Sequence, residues 1–340
     1  MRQAVLTQPG VIEFFEVDQP GNLKEDEILL KIQKIGVCGT DIHVYHGKHP
    51  FVSYPLIQGH EFSAIVEAVG NCVTKVRPGD RATARPQIVC GICAQCLKGD
   101  YNICDKLKVQ GFQAAGVAQD YFITNEERIV LFPESMTFDQ GALIEPAAVG
   151  AHSTLKAKEI KNKNIVVLGA GTIGNFVSQF AQARGARKVL ICDISDFRIS
   201  VAKECGIEYA SNPLRESLAK AYSRVFGEEG FDIAFEAVGV EETMDAAIQN
   251  INKGGEIIVL GVFGERPRID MSVLGDRELK LTGSLMYKHD DYEEAVNYIS
   301  SGKIKTGPLV TKHVPFSRYD EAYKFIQKQG DKTMKVMINL

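Results

Sequence analysis

Four cysteines fall within fifteen residues: Cys90, Cys93, Cys96 and Cys104 form a C-x2-C-x2-C-x7-C run. Four thiolates from one loop are the ligand set of a closed tetrahedral zinc site, which contributes folding energy directly. Gly91 and Gly99 supply the tight backbone such a loop needs. Four unrelated buried thiols are the plain alternative, and so compact a spacing speaks against it. A nucleic-acid zinc knuckle would need a basic or aromatic surround, which this stretch lacks. An iron–sulfur cluster also takes four cysteines, but the spacing matches neither ferredoxin pattern.

A second pattern, Gly169-Ala170-Gly171-Thr172-Ile173-Gly174, is G-x-G-x-x-G. Alone it is weak. Here it follows an apolar run at 165–168 and opens a stretch with helical periodicity, which is the dinucleotide-binding context. In that context Gly169 makes the turn, Gly171 lets the backbone approach a pyrophosphate, and Gly174 lets helix and strand pack closely. Thr172 and Ile173 then belong to a first helical turn whose free N–H groups face the phosphates. Asp193 stands about 20 residues on, where a carboxylate accepts hydrogen bonds from ribose hydroxyls and repels a 2′-phosphate, so NAD is expected over NADP. Arg198 is a small counterweight. A glycine turn in some other α/β protein, with Asp193 as a helix cap, is the competing reading.

These residues need a scaffold, and the chain is long enough for two domains, with 340 residues of which 45% are hydrophobic. Up to about residue 145 short strands dominate, at 28–32 and 62–69, with a turn at 78–80, suggesting a barrel or bent sheet. Beyond 150 the pattern becomes alternating strands and helices. Strands are expected at 165–168, 188–192, 231–235, 256–260 and 279–283, with helices ending at Gly185 and spanning 196–205, which predicts a doubly wound parallel sheet. Amphipathic helices at 292–299 and 319–327 and a strand at 335–338 close the chain, and this tail is expected to return to the first domain.

A net charge of −4 argues against a dedicated binder of nucleic acid or anionic membrane. No apolar stretch is long enough for a transmembrane helix, and the first residues lack a signal-peptide core. A cytoplasmic setting is therefore expected. There the eight cysteines would be thiols or metal ligands rather than disulfides.

With both motifs placed, the chain resembles the zinc-containing medium-chain dehydrogenase/reductase family, in its polyol (sorbitol-like) branch. The resemblance rests on Gly36-Val37-Cys38-Gly39-Thr40-Asp41-Ile42-His43, on Gly59-His60-Glu61 with Gly70 and Val73, on Pro78-Gly79-Asp80, on the cysteine and glycine motifs, and on Glu145-Pro146. It implies a Rossmann sheet at 149–288 inserted in a β-rich GroES-like catalytic domain at 1–148 and 289–340. It implies a second, catalytic zinc on Cys38, His60 and either Glu61 or Glu145, an open arrangement suited to catalysis. Asp41 would orient His60. Thr40 and His43 match the family's proton relay, which runs through the cofactor ribose to a surface imidazole. Lys335 sits where the family often has a basic residue near the pyrophosphate. His46 and His49 match no motif and read as surface residues. Ala64, in place of a usual glycine, and Gly116-Val117-Ala118-Gln119-Asp120-Tyr121 depart from the family pattern.

The implied activity is zinc-dependent, NAD-linked, reversible oxidation of a secondary alcohol of a polyol or vicinal diol to a ketone, in a cleft between the domains. Other readings are a same-family dehydrogenase of an amino alcohol or sugar phosphate, and a non-catalytic NAD-binding relative. Tyr45, Phe51 and Phe112 flank the motifs and are candidate pocket residues, with core packing as the alternative. The resemblance further implies a homodimer or homotetramer formed through an edge strand at 279–283. Cys72, Cys192 and Cys205 are left as ordinary thiols.

Overall fold

The computed structural model describes residues 1–340 as two compact units. The first comprises Met1–Glu145, Lys288–Ser300 and Val310–Leu340. Its centre is the strand Glu27–Gly36, whose period-2 alternation turns Ile28, Leu30 and Ile32 to one core. The antiparallel strand Glu61–Val69 adds Phe62, Ala64 and Val66 to that core. On the other side of Glu27–Gly36, strand Lys335–Asn339 pairs antiparallel with its Lys34–Gly36 end and brings Val336 and Ile338. Ala64 is fully buried between Ile32 and Ala82 on the neighbouring strands, so this departure from the family pattern is one extra methyl in the core.

Register decides what meets at the end of this sheet. Gly36 pairs with Glu61 on one side and with Met337 on the other. The residues just beyond these pairs, Cys38 and His60, therefore arrive together although 22 positions separate them. Gly36 is required here by close approach: a Cβ would lie 2.4 Å from Glu61 Oε2. The segment that departs from the family pattern also holds the site. Backbone N–H groups of Gly116, Val117 and Ala118 donate to the carbonyls of Ile57, Gly59 and Gln58, fixing the approach to His60.

The second unit comprises Pro146–Tyr287 and Ser301–Leu309. Six parallel strands run in the spatial order Tyr209–Ser211, Lys188–Cys192, Asn164–Leu168, Ile233–Glu236, Glu256–Val259 and Lys280–Gly283. In chain order this is 3-2-1-4-5-6, the doubly wound Rossmann arrangement. Asn164–Leu168 is buried along its whole length. Val166 and Leu168 feed one apolar cluster, and Ile165 and Val167 feed the other, on the opposite face. Two-sided burial is why this strand is a continuous apolar run. The segment 301–309, assigned from sequence with the tail, groups with this unit. There Lys305 donates its N–H to Gln179 Oε1 and accepts from Gln179 Nε2. No helix is long and apolar enough to cross a membrane.

Phe235 is fully buried in the central strand pair. Phe235→Ala should destabilise the second unit by about 3–5 kcal/mol through lost burial and the cavity left behind. Denaturant unfolding followed by circular dichroism would measure this.

Candidate metal and nucleotide sites

The four loop cysteines converge in the first unit. Their sulfur atoms all lie within 4.8 Å of one another. Cys104 Sγ is 3.5 Å from Cys90 Sγ and 3.9 Å from Cys93 Sγ, and Cys90 and Cys96 are 4.0 Å apart. Four thiolates at 2.3 Å from a tetrahedral zinc would stand about 3.8 Å apart, so the cage fits that ion. The loop also supplies amides to the sulfurs: Cys93 N–H donates to Cys90 Sγ, and Cys90 and Lys106 N–H groups donate to Cys104 Sγ. Backbone hydrogen bonds from Cys96 and Asp105 pull the Cys93 thiol down to about 6. Desolvation and the neighbouring sulfurs push Cys96 up to about 12. Without a cation the cage cannot hold four charged sulfurs, which is what a zinc ion would relieve.

A second cluster lies at the sheet end. Cys38 precedes helix Gly39–Tyr45 as its N-cap, and its ligand atom lies within 4.8 Å of those of His60 and Glu61. Asp41, in the first turn of that helix, is 1% exposed; its Oδ2 accepts from Cys38 N–H and its Oδ1 faces His60 Nδ1 at 3.7 Å. Both of those facing atoms lack a hydrogen-bond partner. A proton on Nδ1, drawn toward Asp41 on a small closure, leaves the other ring nitrogen as a ligand.

The charge balance around these residues favours a cation. Asp41, Glu61 and Glu145 are all buried, with Lys335 the buried ammonium among them. Burial alone would lower the His60 pKa, but Asp41, Cys38 and Glu145 together raise it well above the usual imidazole range. Burial itself pushes the Asp41 carboxyl upward. The nest thus holds more acid than it can ionise alone, and its S/N/O donors suit zinc.

Lys335, expected near the cofactor pyrophosphate, makes its hydrogen bonds within this nest. Its ammonium donates to both Glu61 oxygens at 2.7 and 2.6 Å and to the Val37 carbonyl at 3.0 Å. All three of its N–H bonds are spent in this structure. Its neighbours Glu61 and Cys38 raise its pKa against the opposing effect of burial. Glu145, in the first turn of helix Ile144–Thr154, acts electrostatically on His60 and Lys335 but is not among the three converging donors.

Thr40 is half-buried and His43 exposed, one helical turn apart on Gly39–Tyr45. Phe112 lies with its ring 4.9 Å from that of His60. Phe51 and Phe112 help to line a cavity of about 550 Å³. Tyr45 belongs to the core instead, stacked on Tyr323 and donating its hydroxyl to the Gly10 carbonyl. His49 is not a free surface residue: it stacks on Phe112 at 5.3 Å. No spacing rule could reveal this, because the contact crosses more than sixty residues of sequence.

In the second unit, the glycine loop follows strand Asn164–Leu168 and opens helix Thr172–Ala183, with Gly171 as its N-cap. Gly169 has φ +102°, and a Cβ on Gly174 would lie 1.8 Å from the Gly169 carbonyl oxygen. Both must be glycine for the turn to close. Thr172 and Ile173 are half-buried in the first turn. Asp193 follows the next strand, where its two oxygens accept from Ala170 N–H at 2.7 Å and Ser195 N–H at 2.8 Å. Arg198 stands 3.9 Å from the same carboxylate. Gly169, Gly171, Asp193, Ile194, Arg198 and Val238 share the wall of a cavity of about 620 Å³. Glu236, missed in the sequence, pins the far wall: one oxygen accepts from the N–H groups of Val238 and Gly239 and from the Thr243 hydroxyl. The cavity lies at the carboxyl ends of the strands, where open α/β sheets bind ligands.

Comparison with known proteins matches the chain to two family models, the alcohol dehydrogenase GroES-like domain at residues 24–134 and the zinc-binding dehydrogenase at 172–301. Sorbitol dehydrogenase 2 of Saccharomyces cerevisiae is 30% identical, over 92% of this chain and 90% of that protein. D-arabitol-phosphate dehydrogenase of Enterococcus avium is also 30% identical, with the same coverage. The crystal structure of galactitol-1-phosphate dehydrogenase from Escherichia coli superposes with a TM-score of 0.92 at 29% identity, covering 100% of both chains.

The sulfur cage yields a direct test. Cys93→Ser should release one zinc per chain and lower the melting temperature, as read by metal analysis and calorimetry on the same sample. Unchanged metal content with unchanged melting would remove the zinc assignment.

Proposed function

Because the chain belongs to the zinc-dependent medium-chain dehydrogenase/reductase family, in its sorbitol-like branch, we propose that it oxidises a secondary alcohol of a polyol or vicinal diol, reversibly, with NAD and two zinc ions per chain. The observation that carries this reading is the convergence of Cys38, His60 and Glu61 in a buried, acid-rich nest beside Phe112. Cys38, His60 and Glu61 would hold a zinc ion there that would supply Lewis acidity toward the alcohol, and a bound nicotinamide would supply the hydride-accepting chemistry.

The chain's own residues do the rest. Cys38 and His60 hold the metal, with Glu61 as the third donor that the geometry favours over Glu145. Asp41 fixes the His60 ring by facing its Nδ1. Thr40 has a hydroxyl that both accepts and donates, which suits it to take the substrate proton. His43, exposed one turn later on the same helix, is placed to deliver that proton to solvent. The sulfur cage holds the structural zinc and stabilises its lobe.

Cofactor selection falls to Asp193. Loop amides already saturate part of its acceptor capacity, yet each carboxylate oxygen accepts more than one bond, so ribose hydroxyls can join them. A 2′-phosphate would meet this carboxylate at short range, and Arg198 offsets only part of that repulsion. The sheet ends at Lys280–Gly283 with one edge unpaired, a place for a second copy to continue it, and the assembly proposed is a homodimer or homotetramer.

Zinc-loaded protein should reduce NAD with short polyols or diols, followed by NADH absorbance. Cys38→Ala should abolish that turnover and lose one zinc per chain; full activity with full zinc would sink the catalytic assignment. Asp193→Ala should raise the NADP-to-NAD ratio of kcat/KM by about tenfold or more, equivalent to about 1.4 kcal/mol. An unchanged ratio would contradict the ribose assignment.

A further inference from the structure

Two arginines flank one end of the strand pair Arg81–Ala84 and Ile129–Leu131 in the first unit. The strands run antiparallel with Ala84 opposite Ile129, and the next step of the ladder joins the Arg85 N–H to the Arg128 carbonyl at 2.9 Å. Residues opposite each other in an antiparallel pair have neighbouring side chains, and like charges there are destabilising. Both arginines are nonetheless buried, each only 8% exposed. Neither forms an ion pair with a carboxylate.

The guanidinium groups are largely unanswered. Arg85 Nη2 donates to the Glu127 carbonyl at 2.7 Å, and the group lies 5.0 Å over the Tyr101 ring, but its Nε is buried without a partner. Arg128 donates no side-chain hydrogen bond within the protein, and its Nη1 is likewise buried without a partner. Burial lowers the Arg128 pKa; Glu127 opposes this, and the charge of Arg85 adds to it. The neighbouring carboxylates are engaged or turned outward. Glu126 accepts from the Thr74 and Lys75 amides, Asp291 accepts from the Lys288 amide, and Glu127 is exposed. Helix His289–Ser300 begins at the same place: the His289 N–H donates to the Tyr101 hydroxyl at 2.5 Å, and His289 Nδ1 is a third buried nitrogen without a partner. Folded proteins pair the charges they bury, so two opposed buried cations without a counter-charge call for an anion.

We propose that Arg85 and Arg128 form a binding site for a tetrahedral dianion, either inorganic phosphate or the terminal phosphate of a small metabolite. Two guanidinium charges need two opposing charges, which a phosphate dianion carries and chloride or a single carboxylate does not. Planar guanidinium forks also match phosphate oxygens in pairs. Arg128 brings all five of its N–H groups to such a ligand, and Arg85 brings its Nε. None of the metal-ligand candidates takes part, so the site stands apart from the dehydrogenase reading. Tyr101 lies between Cys96 and Cys104. An anion on Arg85 therefore braces the arginine that covers Tyr101, and with it the contact between the sulfur-cage loop and the helix start.

The test uses the zinc-loaded full chain in phosphate-free buffer, with chloride holding the ionic strength constant. Calorimetric titration with inorganic phosphate should give saturable binding, and phosphate should raise the melting temperature where chloride at equal ionic strength does not. A parallel titration with glycerol 3-phosphate separates the two sources. Binding of the ester shows that a metabolite's terminal phosphate is accepted, and binding of the inorganic ion alone identifies the free ion as the ligand. Arg85→Gln and Arg128→Gln should each weaken the affinity about tenfold or more, as expected for lost charge-assisted hydrogen bonds. Without phosphate, Arg128→Gln should melt no lower than the wild type, because it removes one of two opposed like charges. Replacing an arginine of purely structural role would lower the melting temperature instead. Three results overturn the proposal: no saturable binding by the wild type, an affinity unchanged in both variants, or a lower melting temperature for Arg128→Gln in phosphate-free buffer. The second of these would place the phosphate elsewhere, the glycine loop being the other anion-binding element.

Discussion

The buried pair between Lys335 and Glu61 is the contact on which the first unit's site depends. The two side chains come from strands that do not pair with each other; Glu27–Gly36 lies between them. Each is almost fully withdrawn from water, at 4% and 2% side-chain exposure. Withdrawing two charges is costly, and the arrangement is tolerable because all three ammonium hydrogens have acceptors. Removing either partner would leave the other charged and unmatched, at a cost of about 3–5 kcal/mol. The pair also aims Glu61 at Cys38 and His60, and the missing side chain of Gly36 leaves room for it. Structure and chemistry thus share one contact, since the residue that closes the sheet end is also a metal-ligand candidate.

Electrostatics then explains why the nest suits a cation. Three buried carboxylates, a thiol and an imidazole face one ammonium. The protein keeps this excess where the folded backbone can hold it: Asp41 Oδ2 takes the Cys38 amide, and Gln58 is tied to the Asp41 carbonyl. The sulfur cage applies the same logic on its own loop, with backbone amides drawing Cys90 and Cys93 toward the thiolate form. In both places the fold has set out acceptor charge that a metal ion would complete.

In the second unit the equivalent device is Asp193. Its carboxylate is first a structural brace, tying the glycine loop after one strand to the turn after the next. Being braced is what keeps it rigid at the carboxyl end of the sheet. Glu236, on the other side of Asn164–Leu168 and across the point where the strand order reverses, braces the loop that follows its own strand. The cavity between these two braced carboxylates is shaped by polar side chains serving backbone amides, with apolar residues such as Ile194 and Val238 turned into it.

Local physics determined a good part of this protein at the level of sequence. A tetrahedral sulfur cage needs only one short loop, so Cys90 through Cys104 are legible from spacing alone. A phosphate-binding turn needs one strand end and one helix start, so Gly169 through Gly174 are legible too. The inner parallel strands, Asn164–Leu168 above all, showed as apolar runs because both faces are buried. Shorter elements such as Tyr209–Ser211 and the helices Leu218–Phe226 and Glu241–Asn250 went unseen, their limits being set by packing. The ligand set Cys38, His60 and Glu61 was reachable only through family resemblance, because strand register assembles it. Three placements were decided by tertiary structure alone: Lys335 on Glu61, Tyr45 in the core, and His49 stacked on Phe112. Each depends on contacts between residues far apart in the chain, and periodicity carries no information about which distant side chains a folded sheet brings into touch.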